Sequence, residues 1–415
     1  MPDVVVVATV DTKGREAQYI LEQLAIAGAS ARVIDIGVLG TTSEVDVPIA
    51  VPADEVAGLG GESLESLRTG SEQGGARGHA LEVMTKGLAA ALRRELDAGR
   101  LGCVLGIGGS SGSSVIGGAL QALPVGVPKL LVSTMASGDV SPYVGIRDVT
   151  LMYSVTDIAG LNRISRVVLR NAARAAAGMA APDGAAGGTQ TEELPLVGIS
   201  MFGVTTPAVM AVQAGLERAG FETNVFHATG AGGRAMEGLV ADGLIDAVVD
   251  LTTSELTDEL VGGVLSAGPE RMEAAGRRGI PQVLVPGALE IVNFGAEPTV
   301  PAAFRTPERR LHVHNSAVTI VRTNIEESRE LGRIFTAKAN LAVGPTTVVL
   351  PLKGLSALDA PGEPYEDRAA DDALFAEIRA GLRPEVKLVE VDAAINEPTF
   401  TDAVLAEFAA AWERR

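Results

Sequence analysis

The sequence predicts an α/β fold of two Rossmann-like, doubly wound domains with mainly parallel sheets and an interdomain cleft. Three observations carry this. Strand-sized apolar runs alternate with helix-sized stretches along the chain, which is the pattern of βαβ units. The runs are continuous rather than alternating, as in VVVVATV at 4–10 and LGCVLGI at 101–107, and strands covered on both faces need that. A stretch rich in Ala, Gly, Pro and Thr at 176–195 divides the 415 residues into two domain-sized halves. The reading is therefore an N-terminal nucleotide-binding domain at 1–180, a linker at 181–195 and a C-terminal Rossmann-like domain at 196–415.

Each half repeats one order of elements. The first opens with a strand at 4–10, the loop Asp11-Thr12-Lys13-Gly14, a helix at 15–27 and a strand at 31–36. The second opens with a strand at 196–201, a loop at 202–206, a helix at 207–219 and a strand at 222–226. Both helices end at Ala-Gly, where glycine takes the left-handed cap. A helix at 79–98 then leads into the strand 101–107 and a Gly/Ser loop at 108–114. Its counterpart at 234–243 leads into a strand at 245–251 and Thr252-Thr253-Ser254-Glu255. Strands at 129–133 and 282–285 follow, then a helix at 158–177 in the first half and a strand at 347–350 in the second. The acidic run 363–372 reads as a solvated connection into the last helices.

Composition narrows the function. The formal net charge of -18 repels phosphate backbones and argues against general nucleic-acid binding. A small anion is still admissible, because backbone N–H groups and local cations outweigh distant charge. Cys103 is the only cysteine and sits in an apolar strand, so it reads as a core residue, with no intrachain disulfide. The N-terminus lacks the basic region of a signal peptide, and no apolar stretch reaches a membrane span. A cytoplasmic protein without membrane contact is expected.

Ligands of open α/β sheets bind beyond the carboxyl ends of the strands, so the loops there hold the candidates. In LGIGGSSGSSVIGGAL a strand runs through Gly108, Gly109, Ser110, Ser111 and Gly112 into a helix. Glycines let backbone approach a phosphate, and a helix start offers N–H groups and a positive dipole end. The stretch is neither a Walker A motif nor a dinucleotide fingerprint. The competing reading is a glycine-rich turn with a Ser N-cap. Lys13 can neutralise phosphate, while Asp11 can hold Mg²⁺ or orient a ribose beside Thr12; the competing reading is an Asp N-cap. Thr134, Ser137 and Gly138 follow the next strand, and Arg77 stands in a polar Gly-rich connection as a phosphate fork or a solvated arginine.

In the second half, His227 precedes a glycine turn with Arg234 and Glu237 beyond it, a set suited to a polar substrate group. Asp250, Thr252, Thr253 and Glu255 crowd another strand end, as acid/base groups, as metal ligands, or as the start of a helix capped by Thr253 or Ser254. Lys353 follows the strand at 347–350. His312 and His314 share one face of an extended segment and are metal candidates, with no nearby Cys to complete a site. Arg322 and Asn324 lie just beyond, to reach the cleft or to cap a helix.

The stretches VATVDTKG, GIGGSSGSS, PKLLVSTMASGDVSPYVG, GISMFGVTTPAV, VFHATGAGGRAMEGLV, DLTTSEL, NFGAEPTVP and PLKGLSALDAPG span nearly the whole chain. In order and spacing it resembles the tomato mosaic virus resistance protein family, specifically the ATP-binding N-terminal inhibitory domain of the plant protein and its bacterial and fungal homologues. The resemblance implies two Rossmann-like subdomains, homodimer formation and binding of ATP with Mg²⁺. In the plant protein this domain binds a viral helicase domain, an activity not expected of this chain. Larger members carry a C-terminal TIM barrel, which this chain is read as lacking, so any barrel chemistry would come from a separate protein. Three functions stand open: an ATP-dependent enzyme or enzyme component acting on a small metabolite, with His227, Arg234, Glu255 and Lys353 as candidates; an ATP-responsive regulatory module without turnover; and a nucleotide-sugar or phosphosugar enzyme.

Overall fold

The computed structural model describes residues 2–39, 47–71, 77–181 and 194–415. The chain forms two compact units, Met1–Gln190 and Thr191–Arg415. Most of the expected linker lies outside the described residues.

The first unit is built on β1 (Asp3–Ala8), β2 (Ala31–Asp35), β3 (Ile49–Val51), β4 (Leu101–Gly108), β5 (Lys129–Ser133) and β6 (Thr150–Tyr153). They form one parallel sheet in the order β3-β2-β1-β4-β5-β6. The chain builds outward from β1 to β3, then returns to the other side of β1 with β4. The carboxyl ends of β1 and β4 therefore flank the switch point at which such sheets bind ligands. Strand pleating explains the continuous apolar runs. Val5 and Val7 face helices Ala53–Gly60, Arg77–Asp97 and Ser110–Leu120. Val4, Val6 and Ala8 face helices Val10–Ile26 and Arg163–Met179. Each fully buried Val side chain stabilises the unit by about 1.5–3 kcal/mol.

The second unit holds β7 (Leu196–Met201), β8 (Glu222–His227), β9 (Ala247–Thr252), β10 (Gln282–Gly287), β14 (Thr346–Pro351) and β15 (Lys387–Val391), all parallel, in the order β15-β14-β10-β9-β7-β8. Here the switch point lies between β7 and β9. Between β10 and β14 the chain inserts an antiparallel sheet of β11 (Ile291–Phe294), β12 (Leu311–Asn315) and β13 (Val318–Arg322), in the order β11-β13-β12. The sequence reading foresees only an extended segment there. It also passes over β3, β6 and β15, which are short or partly exposed.

Candidate functional site

A cavity of about 710 Å³ opens at the switch point of the first sheet, and residues of the first unit line it. One wall is polar: Asp11, Thr12 and Lys13 after β1, and Gly109, Ser110, Ser111 and Gly112 after β4. The other is apolar, with Ile36, Val38 and Leu39 after β2 and Leu81 and Met84 on helix Arg77–Asp97. The structure thus brings together the two loops that the sequence singled out.

The β4 loop has a specific geometry. A Cβ on Gly108 would stand 2.5 Å from the Ser113 nitrogen, so packing within the protein dictates that glycine. Gly109 differs. It is extended (φ -78°, ψ -162°), and a Cβ on it would meet no atom within 4 Å. Added at Gly112, a Cβ would meet only the Ile107 carbonyl, at 4.0 Å. Neither position needs glycine for the packing of this chain. The helix Ser110–Leu120 begins at Gly109 without a side-chain cap, so the Ser N-cap alternative does not hold. Ser113 instead bonds the Ser133 hydroxyl at 2.6 Å and donates to the Gly108 carbonyl at 3.1 Å, tying β4 to β5 beneath the loop.

The β1 loop is also held from below. The Asp11 carboxylate, nearly buried, accepts the Leu39 N–H at 2.9 Å. It is not an N-cap; the helix N-cap is Thr9, whose hydroxyl makes no cap to the backbone and bonds the Thr12 hydroxyl at 2.8 Å. Asp35, at the end of β2, accepts the N–H groups of Val10 (2.9 Å) and Gly37 (2.8 Å), and burial raises its pKa above the usual carboxylate range. Lys13 breaks the helix with φ -128° and ψ 24°, and its ammonium donates to the Ile158 carbonyl at 2.6 Å. An ammonium carries three donors, so this bond leaves capacity for an anion.

Other candidates fall elsewhere. Thr134, Ser137 and Gly138 are not among the described lining of the cavity. The Arg77 side chain lies outside the described residues. The guanidinium that does line the cavity belongs to Arg68, on helix Leu64–Ser71, which donates to the Val38 carbonyl at 2.6 Å. The sequence reading missed it, because no motif surrounds it. Ile36, Val38 and Met84 were equally silent: their apolar side chains match any core position.

The second-unit candidates are largely occupied within the fold. Glu255 is fully buried. One of its oxygens accepts the N–H groups of Gly230 (2.7 Å) and Gly233 (3.1 Å), and the other accepts Arg271 Nε at 2.6 Å. A carboxylate of the chain itself thus sits at the start of helix Ala231–Asp242, where a phosphate would go. Arg271, fully buried, also binds both oxygens of Asp250 and reaches Glu237 at 3.3 Å. Thr253 donates to the Val285 carbonyl at 3.2 Å, and Ser254 makes no side-chain cap, so the capped-helix reading fails as well. Arg234 donates to the Ser266 carbonyl at 2.9 Å and Lys353 pairs with Asp392 at 2.9 Å, both at the surface. His227 is exposed beside the Phe202 ring, with centroids 5.7 Å apart. His312 and His314 lie exposed on β12, their rings 6.5 Å apart. Among the described residues, no three His, Cys, Asp or Glu side chains gather as a metal site. Arg322 is buried, and Asn324 caps helix Ile325–Ala339.

Fold and site together define a two-unit α/β protein with an open, half-apolar pocket at the switch point of its first sheet. Models of an uncharacterised protein family (UPF0261) match both parts, its N-terminal domain at residues 2–184 and its C-terminal domain at 194–412. The chain belongs to the UPF0261 family. A UPF0261 protein of Clostridium tetani is 44% identical over 405 residues, covering 97% of this chain and 96% of that one. The ToMV resistance protein Tm-1 of Solanum lycopersicum is 38% identical over 425 residues, covering 98% of this chain and 55% of that protein. The chain therefore spans about half the length of the tomato protein. A solved Streptomyces glycosyltransferase complexed with thymidine diphosphate aligns over 68% of this chain and 82% of its own at 15% identity, with a TM-score of 0.21, too low to bear on function. No described helix is long and apolar enough to cross a membrane.

Proposed function

We propose that the first unit binds a nucleotide, ATP with Mg²⁺, in the cavity at its switch point. The observation that carries this reading is the pair Gly109 and Gly112. They keep backbone bare beside a helix start although nothing in the protein crowds them, as a phosphate cradle requires. In this reading the phosphates lie on Gly109–Gly112 near Lys13, and Asp11 is the carboxylate nearest an accompanying Mg²⁺. The base rests against Ile36, Val38 and Met84. No chemical step is assigned, because Glu255, Arg234 and Lys353 already serve internal contacts.

A thermal-shift titration with Mg·ATP, ADP and nucleotide sugars tests it. Ligand at 100 times its dissociation constant adds about 2.7 kcal/mol to native stability. Mg·ATP is expected to raise the unfolding midpoint. Gly109→Val and Lys13→Ala are expected to abolish the rise, with Gly109→Val changing unliganded stability by only about 0.5 kcal/mol. A wild-type chain that ignores ATP at millimolar level sinks the proposal. A rise with nucleotide sugars alone transfers the site to sugar chemistry.

A further inference from the structure

A second cluster of charge lies inside the second unit, around the buried Arg322. Glu290 follows β10 by three residues and is 1% exposed. Its carboxylate oxygens are poorly satisfied: only the Ser356 hydroxyl and the residue's own backbone N–H stand near them, and neither closes a well-formed hydrogen bond. A buried carboxylate in that state is costly unless it takes up a proton. Its surroundings supply too little positive charge. From β13 comes Arg322, whose guanidinium is 2.6 Å from Asp371 and 3.5 Å from Asp359. The connection after β14 contributes Asp359, the Ser356 hydroxyl and Tyr365, all buried. Helix Arg368–Gly381 contributes Asp371 and the partly exposed Arg368, which is 3.5 Å from Asp359 and 3.2 Å from Asp371. Three carboxylates face two guanidinium groups, and Asp359 and Asp371 each keep one oxygen without a hydrogen bond.

The cluster joins the inserted sheet to the parallel one. Glu290 leads directly into β11, and its carbonyl accepts the Thr323 N–H at 2.8 Å, just past β13. The Tyr365 hydroxyl donates to the Ile320 carbonyl within β13 at 2.8 Å. The backbone is strained at the same place: Ala288, fully buried, has φ +55°, which a side chain tolerates only under tight constraint.

We propose that Glu290, Asp359 and Asp371 form a proton-operated latch, which holds the inserted antiparallel sheet to the parallel sheet while a proton is bound and loosens it when all three carboxylates ionise. The proton comes from and returns to solvent. Burial pushes each of the three up to about 7, against the pull of Arg322. The sign follows. Folded-state values above the unfolded ones mean that the stabilisation is complete below the unfolded carboxylate values and is lost as pH rises through about 7.

Hydrogen exchange on the full chain across about pH 5 to 9 tests the latch, after correction for intrinsic exchange. Corrected exchange in peptides covering 288–294 and 311–322 is expected to rise up to about tenfold per pH unit between the ordinary carboxylate values, about 4, and about 7 for one proton, and to level off above 7. Glu290→Gln, which keeps the shape and cannot ionise, is expected to flatten that rise. The same slope in Glu290→Gln as in the wild type, or no slope in the wild type, overturns the proposal. If Glu290→Gln does not fold, Asp359→Asn serves: removing one negative charge lowers the values of the remaining carboxylates, so the rise must end at lower pH, and an unchanged profile overturns the proposal. An infrared spectrum of the wild type at neutral pH must also contain a protonated carboxyl band; its absence overturns the latch independently of any variant.

Discussion

Arg271 holds three carboxylates at once: bidentate Asp250, Glu255 at 2.6 Å and Glu237 at 3.3 Å, with no exposed side-chain surface. The carboxylates draw its pKa well above the usual guanidinium value despite burial. Buried ion pairs add little net stability over apolar packing, but breaking one strands the remaining charge. Arg271→Met is therefore expected to cost about 3–5 kcal/mol, read as a fall in the urea midpoint. A loss below about 1 kcal/mol would mean that the carboxylates find protons or water instead. The same arithmetic explains why Glu255 read as catalytic in the sequence. Its position after a strand end is real, but the group that consumes it, Arg271, lies 16 residues further on in a stretch with no motif.

Elements were legible in proportion to their burial. The central strands β1, β4, β7 and β9 stand out as apolar runs because helices cover both faces. Edge strand β6 has no buried residue, and β12 is exposed from His312 onward, so neither carries a strong pattern. Helix starts were less legible than helix bodies. Asn324 and Glu327 form a reciprocal capping box, the sequence pattern that marks a helix start. Asn324→Ala is expected to cost about 1 kcal/mol, measurable by chemical denaturation; a change within error would place the entry of that helix under tertiary control. By contrast, Ser110 and Ser254 resemble caps in sequence and make none. In the β4 loop the backbone is left for another partner. In the β9 loop the nearby donors are spent on β10 and the Glu255 network.

At the scale of the molecule, the two sheets share a plan and differ in what stands at their switch points. The first presents a cavity; in the second a glycine turn is filled by the chain's own glutamate. If nucleotide binds as proposed, hydrogen exchange should slow in segments 9–13, 36–39, 80–84 and 109–115 and remain unchanged in 227–234. Protection appearing instead at 227–234 would reverse the assignment of the two units.

The strand order also sets a schedule for biosynthesis. β1 finds β2 early, but its other neighbour is β4, Leu101–Gly108. At about 5–20 residues per second, roughly 5–20 seconds pass between the synthesis of the two. For that interval the uncharged run from Val4 to Ala8 keeps one edge open. An open apolar edge pairs readily with other chains, so over that interval the nascent chain depends on whatever shields this edge.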